Sequence, residues 1–500
     1  MTAREPWRGI RSKIAVFARS FGLAIASLWI TSLWIVSPCI AATITTAMST
    51  TPASSASPAT SDSSASSTSS ASSESSASER PPVLPATAKS ALQLSVERGA
   101  YIAKLGDCAG CHTAAAHTDA NGARITPPPF AGGLPINAPF GTMYSSNITP
   151  DPRYGIGAYT YEDFARALRT GVARGGKHLY PAMPYPSFSK IDDDDMHALY
   201  AYFMHGVEPV TVPAPQTRLA FPFNQRWGLA IWAWLFSPAK TFEADAKRDA
   251  QWNRGAYLVQ SLGHCGACHT PRGPAYEELG YTEASPLYLS GGTNDHWFAP
   301  DLRATPLWGL GRIPDADIIA FLKSGHGGGL VTFGSMVDVV EDSTQYFNDS
   351  DLAAVATYLK SLPAGSAQGH FAPRSHAAAL SVHALQTGLI QRPGAGLYLS
   401  ACARCHQVDG QGVAGKYPAL AGNPIVLAAD TQSIVRVVLE GGQSPRTDSG
   451  PAPQKMPAFG NQFTDKEISR VLTLIRTTWG NAADPVTDAD VRAMRAALHR

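Results

Sequence analysis

The chain has 500 residues, a length that suggests roughly three domains. Its formal net charge is +1 and only 16% of its residues are charged. This balance offers no electrostatic argument for a nucleic-acid partner or for an acidic one. Glycine (44) and proline (38) are plentiful, as is typical of short helices joined by long loops.

Residues 1–42 have the pattern of an export segment. A basic stretch precedes an uncharged, mostly apolar run from Ser20 to Ala42, which ends in small residues. This order predicts a secretory signal peptide, and the run is also long enough to be an uncleaved membrane anchor. In both cases the rest of the chain lies outside the cytoplasm, because the positive charge stays on the cytoplasmic side.

Residues 43–88 consist mainly of serine, alanine and threonine. Such a composition cannot bury a hydrophobic core, so we expect a disordered linker.

A five-residue unit, Cys-x-x-Cys-His, then occurs three times. Its members are Cys108, Cys111 and His112; Cys265, Cys268 and His269; and Cys402, Cys405 and His406. The unit is the attachment signature of c-type haem, in which both thiols form thioethers and the histidine binds the iron. The sequence therefore predicts three covalently bound haem c groups. Zinc is the other interpretation, but it needs paired Cys-x-x-Cys knuckles, and these units are isolated.

The chain around each unit follows a common plan. Arg98-Gly99-Ala100-Tyr101 precedes the first unit, and Arg254-Gly255-Ala256-Tyr257 precedes the second. After each unit the sequence predicts a helix closed by a C-cap glycine. Further helices follow, with N-termini predicted at an acidic run, at an asparagine and at a capping box. The closed helices are Tyr161–Thr170, Asp315–Ser324 and Thr431–Glu440, and the later N-termini lie at Asp192–Asp195, Asn348–Asp351 and Thr464 with Glu467.

One methionine follows each of the glycine-closed helices, in a loop rich in proline or glycine. We predict Met183, Met336 and Met456 as second axial iron ligands, opposite His112, His269 and His406. A six-coordinate iron with these ligands passes single electrons and leaves no open position for oxygen or peroxide. Met336 lacks the proline that follows the other two, so His326 and His296 remain alternative ligands at the second site.

The predicted fold is mainly α, with three tandem class I cytochrome c domains whose long loops surround covalently bound haems. The domains are assigned to residues 89–210, 249–366 and 385–482; residues 211–248 form a Trp-rich linker, 367–384 a second linker and 483–500 a C-terminal tail. The apolar part of the first linker, about fourteen Trp-rich residues within Phe221–Phe236, is too short to span a bilayer. It is interpreted either as a linker helix or as a segment lying at a membrane surface.

Longer strings around the first two units are more specific than the haem motif. They include Phe130–Ile136, Ser146–Asp151, His178–Tyr185, Gly263–Gly273 and Ser343–Tyr346. Over roughly residues 90–480 the chain resembles the triple-haem cytochrome c subunit of membrane-bound, quinone-linked alcohol, gluconate and related sugar or polyol dehydrogenases. The Ser/Ala-rich linker departs from the usual pattern of that family.

The resemblance implies an electron-transfer subunit with no catalytic residues and no enzyme activity of its own. It would accept electrons from a separate dehydrogenase subunit carrying PQQ or FAD, and deliver them to ubiquinone at the periplasmic face of the bacterial cytoplasmic membrane. The six cysteines of the units would be the haem attachment sites, with the histidines and methionines named above as axial ligands.

Three other functions are weighed against this one. A haem peroxidase needs an open iron site, which three candidate methionines oppose. A cytochrome domain of a terminal oxidase normally comes with several membrane spans, which this sequence does not show, so the alternative is a c-type cytochrome that passes electrons to a terminal oxidase. A dehydrogenase with its own flavin needs a dinucleotide fingerprint, and Gly155-Ile156-Gly157 lacks the third glycine.

Overall fold

The computed structural model describes residues 89–498, apart from 119–123, 139, 238, 308, 366–369 and 390. The predicted signal peptide or anchor and the Ser/Ala-rich linker lie outside the described residues. For clarity, the first, second and third segments below are residues 89–210, 249–365 and 370–498.

The first segment begins with a helix that leads directly into the first Cys-x-x-Cys-His unit. The Ser90 side chain accepts a hydrogen bond from the amide of Gln93, whose own side chain accepts from the Ser90 amide, so a capping box starts this helix. The elements are α1 (Ala91–Leu105), α2 (Cys108–His112), β1 (His117–Thr118), β2 (Arg124–Ile125), β3 (Pro135–Ala138), β4 (Gly141–Tyr144), α3 (Tyr161–Thr170), a 3₁₀ turn (Arg174–Gly176), α4 (Tyr185–Phe188) and α5 (Asp193–His205).

The linker between the first two segments adds a strand and an aromatic helix. Strand β5 (Arg218–Leu219) pairs antiparallel with β4, which pairs antiparallel with β3, with Ile136 opposite Met143. The helix α6 (Trp227–Phe236) buries none of its residues. The indole of Trp232 donates to the carbonyl of Ala275 (2.7 Å) and meets the ring of Tyr185 edge-on, so one side of α6 contacts both segments.

The second segment repeats the order of helices seen in the first. Asp249 and Asn348 are the N-caps of its two long helices, and each side chain accepts a hydrogen bond from the amide three residues on. The elements are α7 (Ala250–Gln260), α8 (Gly266–His269), β6 (Gly292–Asn294), β7 (Trp297–Ala299), α9 (Asp315–Ser324), β8 (His326–Gly327), β9 (Leu330–Val331), α10 (Met336–Asp342), a 3₁₀ turn (Thr344–Tyr346) and α11 (Asp349–Ser361).

The third segment contains the last Cys-x-x-Cys-His unit. A π-helical turn over Tyr398–Cys402 joins the short helix Ala395–Leu397 to the unit. The elements are β10 (His370–Phe371), α12 (His376–Gln386), α13 (Ala395–Leu397), α14 (Ala403–His406), α15 (Pro424–Leu427), α16 (Gln432–Glu440), β11 (Gly442–Gln443), β12 (Lys455–Met456), α17 (Asp465–Arg476), β13 (Asn481–Ala482) and α18 (Asp488–Leu498).

Two close helix crossings organise the first two segments. A Cβ on Gly99 would lie 1.9 Å from the carbonyl oxygen of Ala198, and a Cβ on Gly255 would lie 2.0 Å from that of Ala354. Only glycine therefore lets α1 cross α5, and α7 cross α11, at this distance. This is the role of the glycine in each Arg-Gly-Ala-Tyr string.

The first two segments share one continuous hydrophobic core. It joins residues of α1 and α5, such as Leu105 and Met196, with residues of α7 and α11, such as Leu258 and Leu352. The third segment has a separate core built from α13, α16, α17 and the last helix. Among the described residues the packing is therefore asymmetric: the first two segments share a core, and the third, with its own core, is attached to them.

The predicted helix ends agree with the structure. Gly171 and Gly325 end α3 and α9 in the left-handed conformation, with φ of 67° and 76°. Asp192 is the N-cap of α5, and Thr464 with Glu467 forms the capping box of α17.

The residues predicted as a C-terminal tail, 483–500, contain a helix that belongs to the third segment. This helix, α18, buries Val491 and Met494 in the core of the third segment, although its sequence pattern is only weakly amphipathic. Among the described residues, no helix combines the length and the apolar character needed to cross a bilayer.

Candidate haem sites

Each Cys-x-x-Cys-His unit forms a short helical turn whose histidine is oriented by a backbone carbonyl. The Nδ1 atoms of His112 and His269 both lie 2.7 Å from a carbonyl oxygen, of Ser146 and Pro300 respectively. The Nδ1 atom of His406 lies 2.9 Å from the carbonyl oxygen of Pro418. Because a carbonyl can only accept, Nδ1 must carry the proton, and Nε2 keeps its lone pair free for a metal.

The protonation state of the three imidazole rings also leaves Nε2 free to bind a metal. Burial lowers the pKa of His112, His269 and His406, and the backbone hydrogen bonds only partly oppose it. The imidazoles are therefore neutral near pH 7, as iron ligation requires. This donor geometry, repeated three times, fits the axial histidine of a c-type haem.

The cysteines next to these histidines are unpaired and half-buried. As free thiols they resist ionisation: burial raises the pKa of Cys111 and of Cys265 to about 12, and that of Cys402 to about 11. A zinc site needs thiolates, and no group of three or more His, Cys, Asp or Glu side chains suited to a metal ion occurs in the part of the chain that the structure describes. The thiols fit thioether formation better than metal binding.

A glycine amide holds the loop after each unit in place. The amides of Gly132, Gly291 and Gly412 donate to the carbonyls of His112 (2.7 Å), His269 (2.8 Å) and His406 (3.0 Å), respectively. All three glycines have positive φ, which other residues adopt only under strain. These contacts were not predicted from the sequence. The glycine in the loop after each unit is the one feature of the sequence that indicates them.

The predicted methionine ligands are placed differently in the three segments. Met456, in β12, lines one apolar cavity together with Cys402, Cys405 and His406. Met183 is half-buried against the same hydrophobic core as Cys108. The structure thus brings the predicted ligand of the third site into the cavity of its unit.

Met336 has a less direct placement. It is half-buried as the first residue of α10, and α10 packs against α2, the helix of the first unit. Of the two alternative ligands, His296 is exposed in the turn between β6 and β7. His326 is 7% exposed, and its Nε2 is one of the few buried polar atoms without a hydrogen-bond partner among the described residues.

The mainly helical fold and the attachment units define a c-type cytochrome. A cytochrome c family model matches residues 391–479. Comparison with characterised proteins shows which c-type cytochromes the chain is similar to. The chain is 47% identical over 413 residues to the alcohol dehydrogenase (quinone) cytochrome c subunit of Gluconacetobacter polyoxogenes, covering 82% of this chain and 85% of that protein.

Two further relatives extend the match. The gluconate 2-dehydrogenase cytochrome c subunit of Pantoea cypripedii is 43% identical over 80% of this chain and 89% of its own length. The fructose dehydrogenase cytochrome subunit of Gluconobacter japonicus is 37% identical over 82% of this chain and 84% of its own length. The chain belongs to this family of cytochrome c subunits of alcohol, gluconate and fructose dehydrogenases. It is accordingly a haem c protein that serves as the electron-transfer subunit of a dehydrogenase complex.

Proposed function

We propose that the chain carries three haem c groups, one at each unit, in three tandem class I cytochrome c domains (89–210, 249–366 and 385–482). The observation that carries the proposal is the threefold repeat of a neutral histidine whose Nδ1 donates to a carbonyl. A haem c bound at such a unit supplies a one-electron Fe(III)/Fe(II) couple. The residues around it hold the histidine tautomer, exclude water and set the loop that follows.

Met183, Met336 and Met456 are the proposed second axial ligands, and His326 is the alternative at the second site. A thioether ligand opposite histidine favours the reduced iron, so it raises the potential. Replacing Met456 with Ala should abolish the thioether-to-iron charge-transfer band of one haem in three. Met336→Ala should do the same for a second haem. If Met336→Ala leaves the spectrum unchanged while His326→Ala alters it, His326 is the ligand.

The partner is a dehydrogenase catalytic subunit that carries PQQ or FAD, and the acceptor is ubiquinone in the cytoplasmic membrane. The printed names of the relatives support a dehydrogenase partner, and those of the alcohol dehydrogenases include a quinone. The predicted export segment supports a periplasmic location. In this role the chain conveys electrons and oxidises no alcohol or sugar itself.

The decisive experiment uses the purified, haem-loaded chain. We expect three haems per polypeptide, no substrate oxidation and no peroxidase turnover by the chain alone, and ubiquinone reduction only when the dehydrogenase subunit and its substrate are added. A haem count other than three would refute the three-haem assignment. Oxidation of alcohol or peroxide turnover by the isolated chain would refute the relay role.

An aromatic patch is the proposed contact with the membrane surface. It consists of Phe221, Phe223, Trp227, Ile231 and Trp234, whose exposed fractions range from 41% to 79%. Exposed aromatic and aliphatic residues on a short helix are typical of segments that lie in the bilayer interface. Phe223 stacks on Phe140 (centroids 4.5 Å apart), which fixes one edge of the patch to the first segment.

Co-sedimentation with phospholipid vesicles tests this contact. The double variant Phe221→Ser with Trp227→Ser should lose most of its vesicle binding, because these are the most exposed members of the patch. Leu389→Ser is the matched control, since Leu389 is 70% exposed but lies in the third segment. Equal binding by the double variant and the control would exclude the patch as the contact.

A further inference from the structure

The Arg-Gly-Ala-Tyr strings have a role beyond the helix crossings of their glycines. Their members and two buried aspartates recur at a constant interval: 254 − 98, 257 − 101 and 351 − 195 are all 156. Arg98, Tyr101 and Asp195 in the first segment thus correspond to Arg254, Tyr257 and Asp351 in the second.

Each arginine pairs with the aspartate of its own segment. Arg98 Nη2 lies 2.7 Å from Asp195 Oδ1, and Arg254 Nε lies 2.7 Å from Asp351 Oδ1. The two aspartates are almost completely buried, at 1% and 3% exposure. A buried carboxylate needs more than one donor, and the arginine occupies only one oxygen of Asp195.

A further donor to each aspartate comes from the other segment. The hydroxyl of Tyr101 donates to Asp351 Oδ2 (2.7 Å), and the hydroxyl of Tyr257 donates to Asp195 Oδ2 (2.7 Å). The contact is therefore reciprocal, as in an isologous dimer interface. We call this set of two tyrosines and two aspartates the tyrosine exchange.

The N-cap residues of α5 and α11 also contact the two tyrosines of the tyrosine exchange. The amide of Asn348 donates to the Tyr101 hydroxyl (3.1 Å), and the amide of Asp192 donates to the Tyr257 hydroxyl (3.4 Å). Burial alone would raise the pKa of Asp351, but hydrogen bonds from Arg254 and Tyr101 outweigh it and lower the pKa. Asp351 is thus ionised near neutral pH and accepts charge-assisted hydrogen bonds.

The same contact extends to the two Cys-x-x-Cys-His units. Lys104 lies over the ring of Tyr346 (4.0 Å), and at the corresponding positions Lys190 donates to Gln260 (3.1 Å). His264, next to Cys265, meets the ring of Phe188 edge-on (centroids 5.6 Å apart). The helices that carry the tyrosine exchange lead directly into the units, so their relative position sets the separation of the units.

The third segment lacks this arrangement. Its tyrosine before the unit, Tyr398, lies closer to the first cysteine than Tyr101 and Tyr257 do, and its hydroxyl donates to the carbonyl of Gln407 in its own segment (2.5 Å). This agrees with the separate hydrophobic core of the third segment.

We propose that the tyrosine exchange positions the first and second haem sites as one rigid two-haem unit, within which an electron passes directly from one iron to the other. The inference rests on the proposed three-haem relay. With a haem c held at each unit, one electron given up by one iron would be taken up by the other, so that the first is oxidised as the second is reduced. Tyr101, Tyr257, Asp195 and Asp351 are positioning residues.

The test compares the full, haem-loaded chain with the double variant Tyr101→Phe and Tyr257→Phe. Each substitution removes one hydroxyl and leaves a buried carboxylate oxygen with fewer donors. Loss of a hydrogen bond to a charged group should speed amide exchange at the contact by about 10–100-fold. The second measurement is the rate at which an electron introduced by flash reduction redistributes among the haems. We expect that rate to fall while the haem count and the ligand spectra stay unchanged.

Tyr200→Phe is the matched control, because the Tyr200 hydroxyl donates to the carbonyl of Tyr159 within the first segment (2.9 Å). It should change neither measurement. If the double variant fails to load haem, each single variant, which retains one half of the tyrosine exchange, is measured in its place. An unchanged redistribution rate, or an equal fall in Tyr200→Phe, would overturn the positioning role. A wild-type haem count below three would instead overturn the three-haem proposal, so the two failures are distinguishable.

Discussion

The crossing of α7 and α11 gives the sharpest prediction about the fold. Replacing Gly255 with Ala would place a Cβ 2.0 Å from the carbonyl oxygen of Ala354 and 2.8 Å from the Cβ of Tyr358. The first of these contacts is with backbone, so it cannot be relieved by rotating a side chain. The helices must separate, which also moves Arg254 on α7 away from its partner Asp351 on α11.

The expected cost follows from this geometry. Overpacking a buried site costs about 1–3 kcal/mol, and the loss of a hydrogen bond to a buried charge adds about 1.5–3 kcal/mol. Together these two costs lead us to expect Gly255→Ala to lower the free energy of unfolding by about 2.5–6 kcal/mol. With a urea dependence of about 1–3 kcal/mol per molar, the unfolding midpoint of the core shared by the first two segments should fall by about 1 M or more.

The assay is urea unfolding of the haem-loaded chain followed by far-ultraviolet circular dichroism. Gly228→Ala is the control: Gly228 lies inside α6, and an added Cβ would meet nothing within 4 Å. Alanine should stabilise α6 there by about 0.5–1 kcal/mol. If Gly255→Ala unfolds at the same urea concentration as the wild type, the close crossing does not exist as described.

Two other perturbations have defined outcomes. Burial raises the pKa of Glu278 from 4.5 to about 7, although Arg272 and Lys190 oppose the rise. Between pH 4.5 and pH 7 the folded chain binds more protons than the unfolded chain, so the free energy of unfolding should fall with rising pH by up to about 3 kcal/mol. Glu278→Gln should reduce this fall when the free energy of unfolding is measured at both pH values. Arg476 is fully buried and donates to the carbonyls of Val426, Ala428 and Asp484. Arg476→Met should lower the free energy of unfolding in urea by about 3–5 kcal/mol. The control is Arg492→Met, at a side chain that is 71% exposed, which should change stability by less than about 0.5 kcal/mol. Equal effects of the two substitutions would contradict the role assigned to Arg476.

The attachment units and helix ends could be predicted from the sequence. Attachment units, capping residues and C-cap glycines act on neighbours within a few residues, so a short string contains the whole signal. This is why Cys108, Cys265 and Cys402 could be assigned as attachment residues, and why the end of α3 at Gly171 matched its prediction.

The contacts between distant segments could not be predicted from the sequence. Tyr101 and Asp351 are 250 residues apart, and nothing near either residue says that they meet. The tautomer of each motif histidine likewise depends on a carbonyl, which every residue possesses, so no residue type marks Ser146 or Pro300. The sequence by itself predicted the chemistry of each site and identified the family of the chain. Only the tertiary structure decided that the first two segments share one core and exchange tyrosines while the third has a core of its own, because that arrangement arises from packing of distant surfaces.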